Sequence, residues 1–249
     1  MIRAFRKIRE HYLKNNNSGR YFKYALGEII LVVVGILLAL QINSCNQNIV
    51  NGKKEKLYLK NLKADMLKQL KDIDIQLDFE HKQFNMVSGL IEDYYKDSSF
   101  KLDSVFFNSS SRLIGRKTFN KNDPTYTALL STGDISLLKD DNLKNALFEY
   151  YQQLEQLEHI VNNNNVFFVD QIYKPVILNN SYYYRKELGW NTQLFKIAKE
   201  QLDKDNIELS VVNSIAQRAV ISENNTKYLD RLKLQTIRIV EKIDLVLKE

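Results

Sequence analysis

Apolar positions recur three and four residues apart along most of the chain, with one exception. Residues 29–40 are an uninterrupted apolar run, extended by Ala25, Leu26 and Gly27 before it and by Gln41 and Ile42 after it. The core of the run covers only about 18 Å as an α-helix, against a hydrocarbon core of roughly 30 Å, so a spanning helix must recruit both flanks. The pattern predicts a transmembrane helix over residues 24–44, with Glu28 about one turn inside the membrane.

Beyond the run the three-to-four spacing predicts helices, and no stretch keeps a β alternation. Residues 53–95 read as one long amphipathic helix with Leu62, Met66, Leu70, Ile73, Leu77, Phe84, Val87, Ile91 and Tyr94 on its buried face. It is expected to be almost continuous with the anchor and to end at Asp97, Ser98 and Ser99. Asp103 suits the cap of a short second helix carrying Phe106, Phe107 and Leu113. Asp123 suits the cap and Pro124 the first position of a third, which Gly133 closes. Asp140 or Asp141 opens a long helix with Leu143, Leu147, Tyr150, Leu154, Leu157 and Val161 inward. The asparagines at 162–165 interrupt that face without stopping the helix, which should reach about Tyr173 before Pro175 ends or kinks it. After a loop at 182–190, helices are expected at 192–204 and 207–247, the latter burying Val211, Ile215, Leu229, Leu232, Ile237, Val240 and Ile243. The fold class is all-α: a single N-terminal transmembrane helix followed by an elongated extracytoplasmic helical bundle of about three long helices plus short ones.

Charge separates the chain further. The net charge is +6 over 249 residues, and a pI near 9.1 invites a nucleic-acid reading. Residues 1–23 hold Arg3, Arg6, Lys7, Arg9, Lys14, Arg20 and Lys23 against a single acid, Glu10, while residues 24–249 carry 29 charges of each sign. The whole imbalance lies just ahead of the apolar run, which fits a membrane flank and excludes nucleic acid as the partner. Ile2, Phe5, Ile8, Tyr12 and Leu13 alternate with the basic cluster as an amphipathic helix on an anionic inner leaflet would, the other reading being an unstructured basic tail. Lys53, Lys54, Lys56 and Lys60 follow on the far side, four against seven, so the N-terminus is expected inside. Three parts result: a basic cytoplasmic segment over 1–23, a membrane helix over 24–44 and a neutral outer domain over 45–249.

Candidate chemistry is sparse. The single cysteine excludes a disulfide framework and a Cys-clustered zinc site. Cys45, preceded by Ser44, partly resembles a bacterial lipoprotein cleavage site, although the long basic leader and Glu28 are unusual for one. Glu28, Gly35 and Ala39 fall on one face of the membrane helix, where two small residues four apart admit a neighbouring helix. Glu28 then serves either a partner contact or switch, or merely reaches the headgroups near Lys23. In the outer domain Asp78, Glu80 and His81, with Glu155, Glu158 and His159, faintly suggest a helical metal site, but the spacing departs from the Glu-x-x-His pairs of di-iron bundles. No cofactor is expected. Fourteen Tyr and twelve Phe suit core packing better than a ligand groove. No phosphate loop or nucleophile elbow is present, so the residues assign no reaction.

Residues 5–9 (Phe-Arg-Lys-Ile-Arg), 19–28 (Gly-Arg-Tyr-Phe-Lys-Tyr-Ala-Leu-Gly-Glu) and 34–43 (Val-Gly-Ile-Leu-Leu-Ala-Leu-Gln-Ile-Asn) together resemble the start of an uncharacterised membrane-anchored family of Bacteroidota. The likeness continues through residues 56–62, through the Leu-Ser-Thr-Gly segment within 126–138, and through 143–151. Family members usually carry tryptophan where this chain has Cys45, which weighs against lipidation. The resemblance implies a periplasmic outer domain behind an inner-membrane anchor, a domain of unknown function with no catalytic residues to transfer. The expected role is a non-enzymatic interaction or scaffold module, with a protein partner or self-association through the membrane helix. The alternatives are a metal- or small-ligand-binding helical domain and a lipoprotein processed at Cys45.

Overall fold

A computed structural model describes residues 18–248, and among them every regular element is helical. The long elements are α1 (Ser18–Asp97), α4 (Asp141–Asn164) and α7 (Asp205–Lys248). Between them lie α2 (Ser104–Arg112), α3 (Pro124–Thr132), α5 (Lys174–Asn180) and α6 (Thr192–Leu202), with short 3-10 turns at Asp134–Leu137 and Lys186–Leu188. The chain divides into two compact units, Met1–Lys56 and Leu57–Glu249, with the boundary inside α1.

In the first unit the apolar run is helical, and every residue from 26 to 50 is exposed. Its mean hydropathy reaches 2.5, making this the one helix among the described residues that is long and apolar enough to cross a membrane. Ser18 and Gly19, ahead of the predicted membrane helix, already belong to α1.

The second unit is organised by three seams of buried positions. On α1 these are Leu59, Leu62, Met66, Gln69, Ile73, Gln76, Glu80, Gln83, Val87 and Leu90, alternating three and four residues apart. On α7 they are Val211, Ile215, Arg218, Ser222, Asn225, Leu229, Leu232, Thr236, Ile239 and Ile243, with the same alternation. α4 contributes Leu143, Leu147, Tyr150, Leu154, Leu157 and Val161. This 3.5-residue average is the heptad period of helices packed side by side. Several expected core positions therefore shift by one residue. Gln69 rather than Leu70 is buried, Gln83 rather than Phe84, and Thr236 and Ile239 rather than Ile237, which is 36% exposed.

Helix ends follow local chemistry, with one exception. Asp103 accepts from the N–H groups of Val105 and Phe106, both at 2.9 Å, and Asp140 from those of Asn142 and Leu143 at 2.8 and 3.1 Å. Gly133 ends α3 in the left-handed conformation, φ 75°, that its lack of a Cβ allows. Asp123 precedes Pro124 as expected but makes no capping hydrogen bond. The cap comes from a distant element: Asp65 on α1 accepts from the Thr125 N–H at 3.0 Å, while Asp123 pairs with Lys121 at 3.4 Å.

Pro175 does not end the long helix that begins at Asp141. α4 passes into wider π-helical turns over Asn165–Tyr173 and then into α5, with Pro175 in its first turn. Through these turns the buried positions move to a four-residue spacing, at Asn165, Val169, Tyr173 and Ile177.

Candidate functional site

The seams of α1 and α7 are mostly apolar toward both ends, Gln69 and Thr236 excepted, and polar in the middle. Gln76, Glu80 and Gln83 occupy three successive positions on α1, and Arg218, Ser222 and Asn225 occupy three on α7. On the third element, buried Asn165 lies between Val161 and Val169 and opens the π-helical turns. The layer separates two apolar clusters. One gathers Leu59–Leu77 side chains of α1 with those of α4 and with Leu229, Leu232, Ile239 and Ile243 of α7. The other gathers Val87, Leu90, Phe106, Phe107, Ile177, Leu202, Val211 and Ile215.

Glu80 and Arg218 are each only 2% exposed. Glu80 Oε1 accepts from Gln76 Nε2 at 3.0 Å and from Asn225 Nδ2 at 3.1 Å. Asn225 Oδ1 in turn accepts from Asn164 Nδ2 at 3.4 Å. Arg218 Nη2 donates to the Gly115 carbonyl at 3.3 Å, and the guanidinium lies 5.8 Å from the centre of the Phe79 ring. Burial pulls the Arg218 pKa below its ordinary value, while the charge of Glu80 and then Tyr173 oppose that fall. Burial pushes Tyr173 up to about 12, with Arg218 pulling the other way.

Gly115 fits this wall because it has no side chain. A Cβ there would sit 2.9 Å from the Arg112 carbonyl oxygen and 3.1 Å from Gln83 Nε2. The asparagines that interrupt the α4 face secure the same loop. Asn162 donates to the Phe119 carbonyl at 3.0 Å and accepts from its N–H at 3.3 Å, and Asn165 donates to the Lys117 carbonyl at 2.9 Å.

The layer is incompletely paired. Among the described residues Gln76 Oε1, Glu80 Oε2, Gln83 Oε1, Arg218 Nε, Ser222 Oγ and the Tyr173 hydroxyl are buried without a hydrogen-bond partner. Each such group costs about 1–3 kcal/mol. The layer therefore sets polar atoms that no protein group satisfies where the two larger apolar clusters meet. It places the opposite charges of Glu80 and Arg218 in one buried layer without a direct ion pair between them, and π-helical turns recur at functional positions in other helices.

The sequence-predicted residues lie elsewhere. Glu28, Gly35 and Ala39 are exposed on the apolar run of α1, and a Cβ on Gly35 would meet nothing within 4 Å. Lys23 is exposed, Arg20 falls in the first turn of α1, and Arg3, Arg6, Lys7 and Arg9 lie outside the described residues. Cys45 is exposed. His81 and His159 are both exposed, and the His159 ring is 2.9 Å from Asn163 Nδ2. Glu158 accepts from the Lys121 N–H at 2.9 Å. No group of three or more His, Cys, Asp or Glu side chains able to hold a metal occurs among the described residues. The aromatic residues pack on one another: Phe107 lies 5.8 Å from Phe195 and 6.2 Å from Trp190, and Trp190 is 5.0 Å from Phe195.

Residues 28–168 match a family of unknown function, DUF6090. No curated protein and no solved structure matches the chain.

Proposed function

The chain belongs to DUF6090, a family of unknown function, and we propose that it is a membrane-anchored interaction module rather than an enzyme. The observation that carries this reading is the helical run from 26 to 50, apolar over its first two-thirds and exposed throughout. In water such a surface is unfavourable at every residue; in a bilayer it is the matching solvent. The basic cluster of residues 1–23 rests on the anionic inner leaflet, which sets the N-terminus inside. The charge-balanced helical bundle from residue 45 onward is then extracytoplasmic, and in a bacterium of the Bacteroidota it is periplasmic.

Within the membrane, Glu28, Gly35 and Ala39 present a face on which a second helix can pack closely, either a partner's or that of another copy. A signal from the helical bundle can reach the other side of the membrane through that contact. Cross-linking in membranes at native expression, followed by purification of the full chain, tests the reading. A specific protein partner or a self-adduct through the membrane helix supports it. Recovery of neither would sink it.

A further inference from the structure

We infer that the buried polar layer divides the second unit into two parts that open separately, the part bearing α2, α5 and α6 opening first. All three long seams change character at the same level: α1 between Ile73 and Val87, α7 between Ile215 and Leu229, and the third element at Asn165. The two larger apolar clusters share no side chain and lie on either side of this level, while a small third cluster of Val169, Tyr173 and Ile221 joins the second through Ile114. Opening at an apolar boundary would expose apolar surface to water. Opening here also hydrates Gln76 Oε1, Glu80 Oε2, Gln83 Oε1, Arg218 Nε and Ser222 Oγ, none of which bonds to a protein group in the closed state. Hydrating these polar atoms offsets part of the cost of separating the part bearing α2, α5 and α6, while the part bearing α4 keeps a mostly apolar seam.

The local backbone suits such a break. The π-helical turns begin at the layer, where the regular i to i−4 ladder of α4 stops. The loop carrying Gly115 is tied to the layer by Arg218 Nη2 and Asn165 Nδ2 and to the third element by the Arg116–Asp170 ion pair and the Asn162–Phe119 bonds, so these are the contacts that opening must break. Separation frees Phe106, Phe107 and Ile177 from Val87, Leu90, Val211 and Ile215.

Hydrogen exchange read by mass spectrometry on the full chain in detergent micelles tests this. The expected result is two classes of amides, those of residues 104–113, 174–180 and 192–215 exchanging together, at least about 30-fold faster than those of 59–73, 143–157 and 229–243. The faster class should also show the shallower dependence on urea. One common rate with one urea dependence across both sets would overturn the proposal. A variant with Gln76→Leu, Glu80→Leu, Arg218→Met and Ser222→Ala makes the seam apolar throughout. It should slow the fast class toward the slow one, and an unchanged gap would equally overturn the layer as the boundary. If that variant does not fold, the exchange classes of the natural chain decide alone.

Discussion

The Asn225 side-chain amide donates to Glu80 Oε1 at 3.1 Å, joining α7 to α1 across 145 positions of sequence in the buried middle of the second unit. With Gln76 it gives that carboxylate oxygen two neutral donors, while Arg218 supplies the opposite charge nearby. Removing Arg218 leaves Glu80 buried without a countercharge. Arg218→Ala should cost about 1–3 kcal/mol, through the lost Gly115 bond and the lost countercharge near Glu80, and Arg218→Met with Glu80→Leu should cost less than Arg218→Ala alone. Urea unfolding of the full chain in detergent compares the two, and a double variant weaker than the single one would contradict the electrostatic account.

Gly115 and Gly89 should respond oppositely to alanine. A Cβ at Gly115 meets a backbone carbonyl at 2.9 Å, so Gly115→Ala should destabilise by about 1–3 kcal/mol through overpacking. Gly89 sits inside α1 with nothing within 4 Å of its Cβ position. Gly89→Ala should stabilise by about 0.5–1 kcal/mol, the ordinary helix gain. Paired melting curves read both signs.

Capping of α3 should map to the distant carboxylate. Asp65→Ala removes the acceptor for the Thr125 N–H and should cost about 1 kcal/mol. Asp123→Ala removes an ion pair at 3.4 Å but no cap, so its effect should be smaller. Equal losses, or a larger loss at Asp123, would show that the adjacent residue caps after all.

Alkaline pH should loosen the second unit. Burial raises Tyr150 and Tyr173 from 10.0 to about 12, and raises Tyr151 as well. Unfolded, these phenols ionise near 10, so between about pH 10 and 12 the unfolded chain binds fewer protons than the folded one. The stability they contribute is complete below pH 10 and is lost as pH rises through 12. Phenolate absorbance followed together with circular dichroism should show a late group of tyrosines ionising as helicity falls. Full phenolate formation near pH 10 with helicity intact would contradict this.

Much of the architecture was legible in the sequence. The exposed run, the caps at Asp103 and Asp140, the stop at Gly133 and the span of α7 follow from spacing and turn chemistry. The polar layer was not, because a reading that equates buried with apolar steps aside wherever the seam turns polar. At Gln69 it moves to Leu70, and at Gln83 to Phe84. Extending the strict three-and-four alternation from Met66 to Val87 would have placed Gln76, Glu80 and Gln83 inside. The cap from Asp65 and the π-helical turns around Phe167 depend on tertiary contacts and leave no local signature.

Residues 24–44 are proposed to cross a membrane with the basic segment inside. Labelling with a membrane-impermeant maleimide tests it most directly, in a Cys45→Ser background carrying either Asn16→Cys or Ser99→Cys. In cells whose outer membrane alone is permeabilised, the Ser99→Cys chain should label, and the Asn16→Cys chain should label only after the inner membrane is broken. Labelling of both before that point, or of neither, would contradict the account.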